Sequence, residues 1–380
     1  MIPFNKPFLT GKETIYIHEA VASGKISGNG IFTKRCQDYF QSRFGFKKSL
    51  LTSSCTDALE MCAMLANIEK GDEVIIPSFT FVSTALAFVR QGATIQFADS
   101  YTNNPNIDVD KIESLITSKT KAIVPVHYAG IACEMDQIMM LAAKYNLIVI
   151  EDAAQAIDSY YVGRDGIKRA LGSIGHLAAF SFHETKNIIS GEGGMLTIND
   201  EQFIPRAEIL WEKGTNRAEF FRGEVNKYGW IDTGSSFLPS EVTAAFLWAQ
   251  IENIDAIQQR RIMIWNQYQE KLDELVAKGY FEVPLMPSYA TCNGHMFFIV
   301  CRTLVERSEL IAHLKSKNIH AVFHYLSLHK SPYYQSRHDG RELTCSDYFT
   351  DRLLRLPLYY ELSQDDVNRI VDEIKLFYEK

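Results

Sequence analysis

Three short segments of this chain carry residue types that could do chemistry together. In Ala179-Phe180-Ser181-Phe182-His183-Glu184-Thr185-Lys186-Asn187, a lysine follows an apolar run and precedes Gly191-Glu192-Gly193-Gly194. A lysine withdrawn from water has a depressed pKa and can act as a nucleophile or Schiff-base former. Taken alone, a solvated loop lysine is the commoner meaning of such a pattern. In Val149-Ile150-Glu151-Asp152-Ala153-Ala154-Gln155, an acidic pair closes an apolar run. Open α/β sheets bind ligands beyond the carboxyl ends of their strands, where a carboxylate could meet a cationic ring nitrogen. A strand-end aspartate also caps turns. In Leu51-Thr52-Ser53-Ser54-Cys55-Thr56-Asp57-Ala58-Leu59, an apolar run gives way to hydroxyl residues and a helix start. Backbone N–H groups there, with the hydroxyls, would form an anion site. A plain helix cap is the alternative. Together the three segments supply what pyridoxal 5′-phosphate (PLP) requires. The phosphate needs the cradle, the pyridinium nitrogen needs the aspartate to stay protonated, and the aldehyde needs the lysine.

The elements that must position these residues follow from hydrophobic patterning. Strands are predicted at Ser49 to Leu51, Glu73 to Ile76, Thr94 to Phe97, Ala122 to Val126, Leu147 to Ile150, Leu177 to Phe182 and Met195 to Ile198. Helices are predicted between them at Asp57 to Asn67, Val82 to Arg90 and Met135 to Tyr145. Strands alternating with helices imply βαβ units and a mostly parallel sheet, punctuated by turns such as Lys70-Gly71-Asp72. The pattern changes after residue 240. A long helical stretch from Ser240 to about Gln269 is followed by a strand (His295 to Cys301), a helix (Glu306 to Ser316), a short strand (His320 to Phe323) and a terminal helix (Gln364 to Tyr378). The fold class expected is α/β: a large domain over 1–245 with a mostly parallel central sheet, and a smaller α+β domain over 246–380. The N-terminal segment would be free to pack on the smaller one. Lys213 to Gly234 reads as a long loop of the kind that carries function.

Composition narrows the partners. The chain has 380 residues, 46% hydrophobic and 22% charged, with a net charge of −7. This is an ordinary globular balance, long enough for a full core without disulfide or metal staples. No basic stretch is dense enough for a nucleic-acid footprint. No apolar run is long enough to span a bilayer, and Met1 to Pro7 lacks the apolar core of a signal peptide. Seven scattered cysteines without a C-x-x-C read as reduced, in a cytoplasmic protein. His320, His324 and His329 have no matching Cys or carboxylate cluster, so no metal site is expected. Gly11-Lys12-Glu13 is not a phosphate-binding P-loop, and neither G-x-G-x-x-G after the first strand nor G-x-S-x-G occurs.

These motifs resemble those of the DegT/StrS group of nucleotide-sugar aminotransferases, which have the fold type I (aspartate aminotransferase) architecture. The resemblance runs over nearly the whole chain. It rests on Ser27-Gly28-Asn29-Gly30, Pro77-Ser78-Phe79-Thr80-Phe81-Val82-Ser83-Thr84, Glu151 to Gln155, Ser181 to Asn187 and Leu356-Pro357-Leu358-Tyr359. Val124-Pro125-Val126-His127-Tyr128-Ala129-Gly130, Glu212-Lys213-Gly214-Thr215-Asn216-Arg217 and Phe323-His324-Tyr325 resemble the subgroup that makes dTDP-4-amino-4,6-dideoxygalactose for enterobacterial common antigen and related glycans.

The resemblance implies a role for each matching residue. Lys186 would hold the cofactor aldehyde and shuttle the proton. Asp152 would hold the pyridinium nitrogen, Gln155 would contact the ring oxygen, and Phe81 would stack on the ring. Ser54, Cys55, Thr56 and Ser181 would hold the phosphate. It also implies a homodimer in which a partner loop completes each site. Where that loop usually offers an Asn, this chain has Ser236. L-Glutamate would be the donor and a dTDP-linked 4-keto-6-deoxy sugar the acceptor, with C3 amination of a 3-keto sugar as the alternative. The diphosphate would need a local basic spot, for which Lys213, Arg217, Arg222, His324 and His329 are candidates. An intact Lys186 favours transamination over the dehydrating branch of the family, which has His there.

Overall fold

Short apolar runs between amphipathic helices build a seven-stranded sheet in the computed structural model, which describes residues 1–379. In chain order the strands of the protein are β1 (Lys48–Thr52), β2 (Glu73–Pro77), β3 (Thr94–Ala98), β4 (Thr120–Ile123), β5 (Ile148–Asp152), β6 (Tyr160–Val162), β7 (Lys168–Ala170), β8 (Leu177–Ser181), β9 (Gly194–Ile198), β10 (Phe281–Glu282), β11 (Phe297–Cys301), β12 (Val322–Phe323) and β13 (Leu353–Leu356). The large sheet has the order β1-β9-β8-β5-β4-β2-β3. Pairings from β3 through β2, β4 and β5 to β8 are parallel, and only β9 runs against both its neighbours. The α/β class with a mostly parallel sheet is therefore what the chain adopts.

Both faces of this sheet are covered, which is why its strands read as unbroken apolar runs. Leu51, Ile75, Ile123, Val149 and Ala178 face one core with Phe32, Phe40 and Leu247. Their neighbours Leu50, Val74, Ala122, Ile150 and Leu177 face the other, with Leu59, Met61 and Phe88. A third core lies around the antiparallel sheet β10-β11-β13-β12 and takes in Tyr268, Leu310, Ile370 and, from the N-terminus, Ile2. The helix Ile254–Ala277 starts in the first core at Ile254 and Ile257 and continues in the third at Ile264 to Leu275. Phe79, Tyr128, Phe298 and Phe349 form a fourth cluster that joins the two sheets.

Several elements differ from the sequence expectation. Helices Glu13–Ala22 and Ile31–Phe44, and the hairpin β6–β7, were not anticipated. The strand expected at Ala122 to Val126 is shorter and earlier, at Thr120–Ile123. The stretch from Ser240 forms two helices, Glu241–Ile251 and Ile254–Ala277. The expected long loop contains the helix Arg217–Arg222, closed by Gly223 in the left-handed conformation at φ 78°. The early Ser27-Gly28-Asn29-Gly30 motif has a packing cause. The Gly30 N–H donates to Glu241 Oε1 at 2.8 Å, and a Cβ at Gly30 would run into that carboxylate.

Candidate active site

The carboxyl ends of β1, β5 and β8 and the segment after β2 converge on one cavity of about 460 Å³. Eight of the residues proposed for the cofactor line it: Ser54, Cys55, Thr56, Phe81, Asp152, Gln155, Ser181 and Lys186. His324 lines it as well.

The anion cradle is the start of the helix Cys55–Leu65. The Ser54 hydroxyl accepts from Asp57 N–H at 3.1 Å, so this serine is an N-cap in fact. Among the described residues the N–H groups of Cys55 and Thr56 have no backbone or side-chain acceptor and are free for an anion. A Cβ on Gly194 would collide with the Ser54–Cys55 backbone, so β9 closes on the cradle only because that residue is glycine. Ser181 ends the neighbouring strand β8.

Strand alternation separates the two acids of β5. Asp152 reaches the cavity. Its Oδ2 accepts from Thr84 Oγ1 at 2.7 Å and its Oδ1 from Ala154 N–H at 3.1 Å. Burial raises its pKa above the ordinary carboxyl value, while these bonds and the nearby Lys186 pull it back. Glu151 points away from the cavity. It accepts from the N–H groups of Gly172 (2.8 Å), Ile174 (2.8 Å) and Gly175 (2.6 Å) and pairs with His127 Nε2 at 2.9 Å. His127 Nδ1 accepts from Cys133 N–H at 3.1 Å, which leaves the ring proton on Nε2, facing the carboxylate.

Lys186 follows β8, and burial lowers its pKa; Cys55 and Asp152 oppose that shift. The next residue, Asn187, donates its amide to Gln258 Oε1 (2.7 Å) and the Asn293 carbonyl (2.8 Å). Its Oδ1 therefore faces His295 Nδ1 at 2.8 Å and requires the proton there. Burial keeps the His295 pKa well below the usual imidazole value, so the ring is neutral and lines the cavity. His324 is held neutral in the same way, with its Nδ1 3.0 Å from the Tyr128 hydroxyl. Gln155 accepts from Ala129 N–H at 2.7 Å and donates to the Tyr325 hydroxyl at 3.2 Å. Phe81 stands at the cavity rim, 55% exposed.

The other basic candidates do not reach the cavity of their own chain. Arg222 is occupied by Glu208 and Glu224, each at 2.8 Å. Arg217 lies over the Phe221 ring, 3.8 Å from Glu212. Lys213 sits in a turn at φ 66° on the same outer segment. Ser236 is exposed and bridges Glu212 through the backbone. His329 is buried elsewhere, with its Nδ1 2.7 Å from the Ser78 hydroxyl. No group of three or more metal-ligating side chains occurs among the described residues.

Thr84, His295, Tyr325 and Arg355 are among the cavity residues that escaped the sequence reading. Thr84 and Tyr325 lay inside quoted motifs. His295 and Arg355 are single polar residues at apolar strands, which was the only available signal.

An anion cradle, a buried strand-end aspartate, a lysine of lowered pKa and an aromatic rim, all on one cavity, fit PLP in charge and in kind. The comparisons agree. The DegT/DnrJ/EryC1/StrS aminotransferase family matches residues 8–375. The spore coat polysaccharide biosynthesis protein SpsC of Bacillus subtilis is 33% identical, over 98% of this chain and 96% of its own. GDP-perosamine synthase of Escherichia coli O157:H7 is also 33% identical, over 99% and 98%. The PLP-form of Spr1654 from Streptococcus pneumoniae superposes with a TM-score of 0.89 at 25% identity, covering 100% of this chain and 98% of that one. With nearly its whole length matched and the residues expected to bind the cofactor gathered on one cavity, the chain belongs to the DegT/DnrJ/EryC1/StrS aminotransferase family and is a PLP-dependent enzyme.

Proposed function

We propose that this enzyme transfers the amino group of L-glutamate to C4 of dTDP-4-keto-6-deoxy-D-glucose. The products are dTDP-4-amino-4,6-dideoxy-D-galactose and 2-oxoglutarate, for a bacterial surface glycan. The observation that carries the transamination reading is the placement of Lys186 on one cavity with Asp152 and the free N–H groups of Cys55 and Thr56. PLP, when bound, supplies an electron sink that lets an amino group pass between carbon atoms. Asp152 would hold the ring N–H, and the helix start with Ser181 would hold the phosphate. Burial favours the neutral amine of Lys186, the form that takes a proton from a substrate carbon and returns it. The face to which Lys186 returns the proton sets the configuration at C4.

A nucleotide-linked sugar is supported by the relative named GDP-perosamine synthase. The dTDP-4-keto sugar is supported by the segments Val124 to Gly130, Glu212 to Arg217 and Phe323 to Tyr325. We assign the active form as a homodimer, in which Ser236, outside its own cavity, serves the neighbouring one. The domain division at residue 245 belongs to the same reading. Seven unpaired cysteines fit a reducing, cytoplasmic setting. No helix among the described residues is long and apolar enough to cross a membrane.

The test is a coupled assay with glutamate and dTDP-4-keto-6-deoxy-D-glucose, with the product identified by NMR. Nitrogen on C4 with an axial amine is expected. Nitrogen on C3, or an equatorial amine, would overturn the assignment.

A further inference from the structure

His295 presents a hydrogen-bond acceptor to the active cavity that no described residue fills. The residue precedes β11 and is buried, and its ring lines the cavity. Its tautomer is set by a chain of bonds that starts at backbone carbonyls, which can only accept. Asn293 donates its amide to the carbonyls of Gln155 (2.8 Å) and Ile157 (3.0 Å), so its Oδ1 is turned to the His295 N–H at 3.0 Å. Asn187 donates its amide to the Asn293 carbonyl and to Gln258, so its Oδ1 takes the proton on His295 Nδ1. The charged groups felt at the ring are Lys186, Arg261 and Arg355, all cationic, and burial acts in the same direction, so the ring stays neutral. His295 Nε2 is then a bare lone pair, and among the described residues no N–H or O–H donates to it.

A buried acceptor left without a donor is costly, and here the donor must arrive with a ligand. PLP does not supply it: its phosphate and ring oxygen accept, and its ring N–H is the partner assigned to Asp152. L-Glutamate has N–H bonds only on the nitrogen that it gives up. The keto sugar has hydroxyls that persist from binding to product. His295 is bonded to the residue next to Lys186 and feels the Lys186 charge, so its acceptor lies at the lysine end of the cavity, where the reacting carbon must be. In a 4-keto-6-deoxy sugar, C5 beside the ketone carries a methyl group and C3 carries a hydroxyl. The hydroxyl nearest the reacting carbon is therefore the one on C3.

We propose that His295 Nε2 accepts a hydrogen bond from the C3 hydroxyl of the keto sugar and so selects which sugars the enzyme takes. This deepens the proposed function and rests on it, because the substrate must be a 4-keto sugar with a free C3 hydroxyl. A sugar lacking that hydroxyl leaves the lone pair unmatched, the condition under which a polar site rejects an analogue most strongly.

The test separates the two halves of the reaction. The enzyme is loaded with pyridoxamine 5′-phosphate, and the return of the visible PLP band is followed in a single turnover. The substrates are dTDP-4-keto-6-deoxy-D-glucose and its 3-deoxy analogue. Wild type is expected to prefer the hydroxylated sugar by about 30-fold, the scale of a buried polar group left unpaired. His295→Phe should lose about 30-fold with the hydroxylated sugar and no longer distinguish the two. His295→Gln can donate to Asn187 and still offer an oxygen, so it should recover part of the loss. The PLP-loaded proteins are also mixed with L-glutamate. In His295→Phe that step should slow by about tenfold less than the sugar step.

Equal rates for the two sugars in wild type, with amination at C4 intact, would overturn the proposal whatever the variants do. Equal slowing of the glutamate and sugar steps in His295→Phe would overturn it too, by making the residue a support for Lys186 instead. If wild type does not aminate C4 of the hydroxylated sugar, the proposed function fails first and the proposal falls with it.

Discussion

Thr84 donates its hydroxyl to Oδ2 of Asp152 at 2.7 Å, reaching the strand-end carboxylate from the first turns of the helix Val82–Arg90. Thr84 is itself bonded to the Thr80 hydroxyl at 2.9 Å. With the Thr84 proton committed to Asp152, Thr80 must be the donor of that second bond. The two hydroxyls form a chain that ends on the carboxylate proposed to meet the ring nitrogen, and both threonines belong to the motif that also carries Phe81.

This chain predicts the behaviour of Thr84→Val. Loss of a hydrogen bond to a buried carboxylate should weaken PLP binding about tenfold, measured by absorbance titration of the apoprotein. Thr84→Ser should restore it. Burial already raises the Asp152 pKa, and Thr84 is the first influence that lowers it again. The cofactor needs the charged carboxylate, so binding is lost as pH falls through that pKa. In Thr84→Val the acid limb should therefore move to higher pH. Unchanged affinity and an unchanged acid limb would show that Thr84 does not hold Asp152 for the cofactor.

Lys186 makes a prediction in the absence of PLP. Its folded-state pKa lies below the ordinary 10.5 because of burial. The unfolded chain then binds a proton that the folded chain gives up, and the apoprotein is penalised. That penalty is full below the folded pKa and disappears as pH rises to 10.5. Lys186→Met should thus raise the apoprotein Tm at neutral pH, by less as the buffer approaches pH 10.5. With PLP present, borohydride should fix the cofactor on Lys186 of the wild type and on nothing in the variant. Labelling of another lysine would sink the assignment.

These residues also mark what the sequence made legible. Asp152 and Lys186 could be read because each closes an apolar run, and in an open sheet such ends face the ligand. Arg217 and Arg222 could not be placed. Whether a basic side chain meets a substrate or a carboxylate depends on distant neighbours, and for Arg222 one of these is Glu208 on another helix. Arg355 was hidden for the opposite reason. Within Leu353-Leu354-Arg355-Leu356 it looks like the outward residue of an edge strand, whereas β13 pairs on both sides and turns that residue into the cavity. Glu13–Ala22 went unread because its core contacts come from a helix more than two hundred positions away, Glu241–Ile251.

Gly30 tests a packing claim away from the cavity. Its N–H, that of Phe32 (2.8 Å) and that of Thr33 (3.2 Å) all donate to the buried Glu241 carboxylate, as does the Thr33 hydroxyl. These are the orphan donors at the start of the helix Ile31–Phe44, capped from another helix. Gly30→Ala places a methyl group against that carboxylate. A loss of about 2 kcal/mol in urea unfolding is expected, the scale of a lost cap combined with overpacking. Gly229→Ala, where a Cβ meets nothing within 4 Å, should be neutral. Equal effects at both sites would refute the argument.

The neighbouring acids of β5 should fail in opposite ways. Every contact of the Glu151 carboxylate is with a donor: Ile174 and Gly175 N–H at Oε1, Gly172 N–H and His127 Nε2 at Oε2. In Glu151→Gln the amide NH2 must face two of these donors whichever way it is turned. A loss of about 3 kcal/mol follows from breaking a buried, fully satisfied carboxylate site. The folded fraction should still bind PLP, since Glu151 does not line the cavity. Asp152→Asn removes a carboxylate that burial already disfavours. Its apoprotein should unfold at the same urea concentration as wild type or a higher one, yet it should fail to hold PLP in the visible-absorbing form. If Glu151→Gln lost the cofactor while remaining stable, or Asp152→Asn unfolded while retaining it, the division of labour drawn from strand alternation would be reversed.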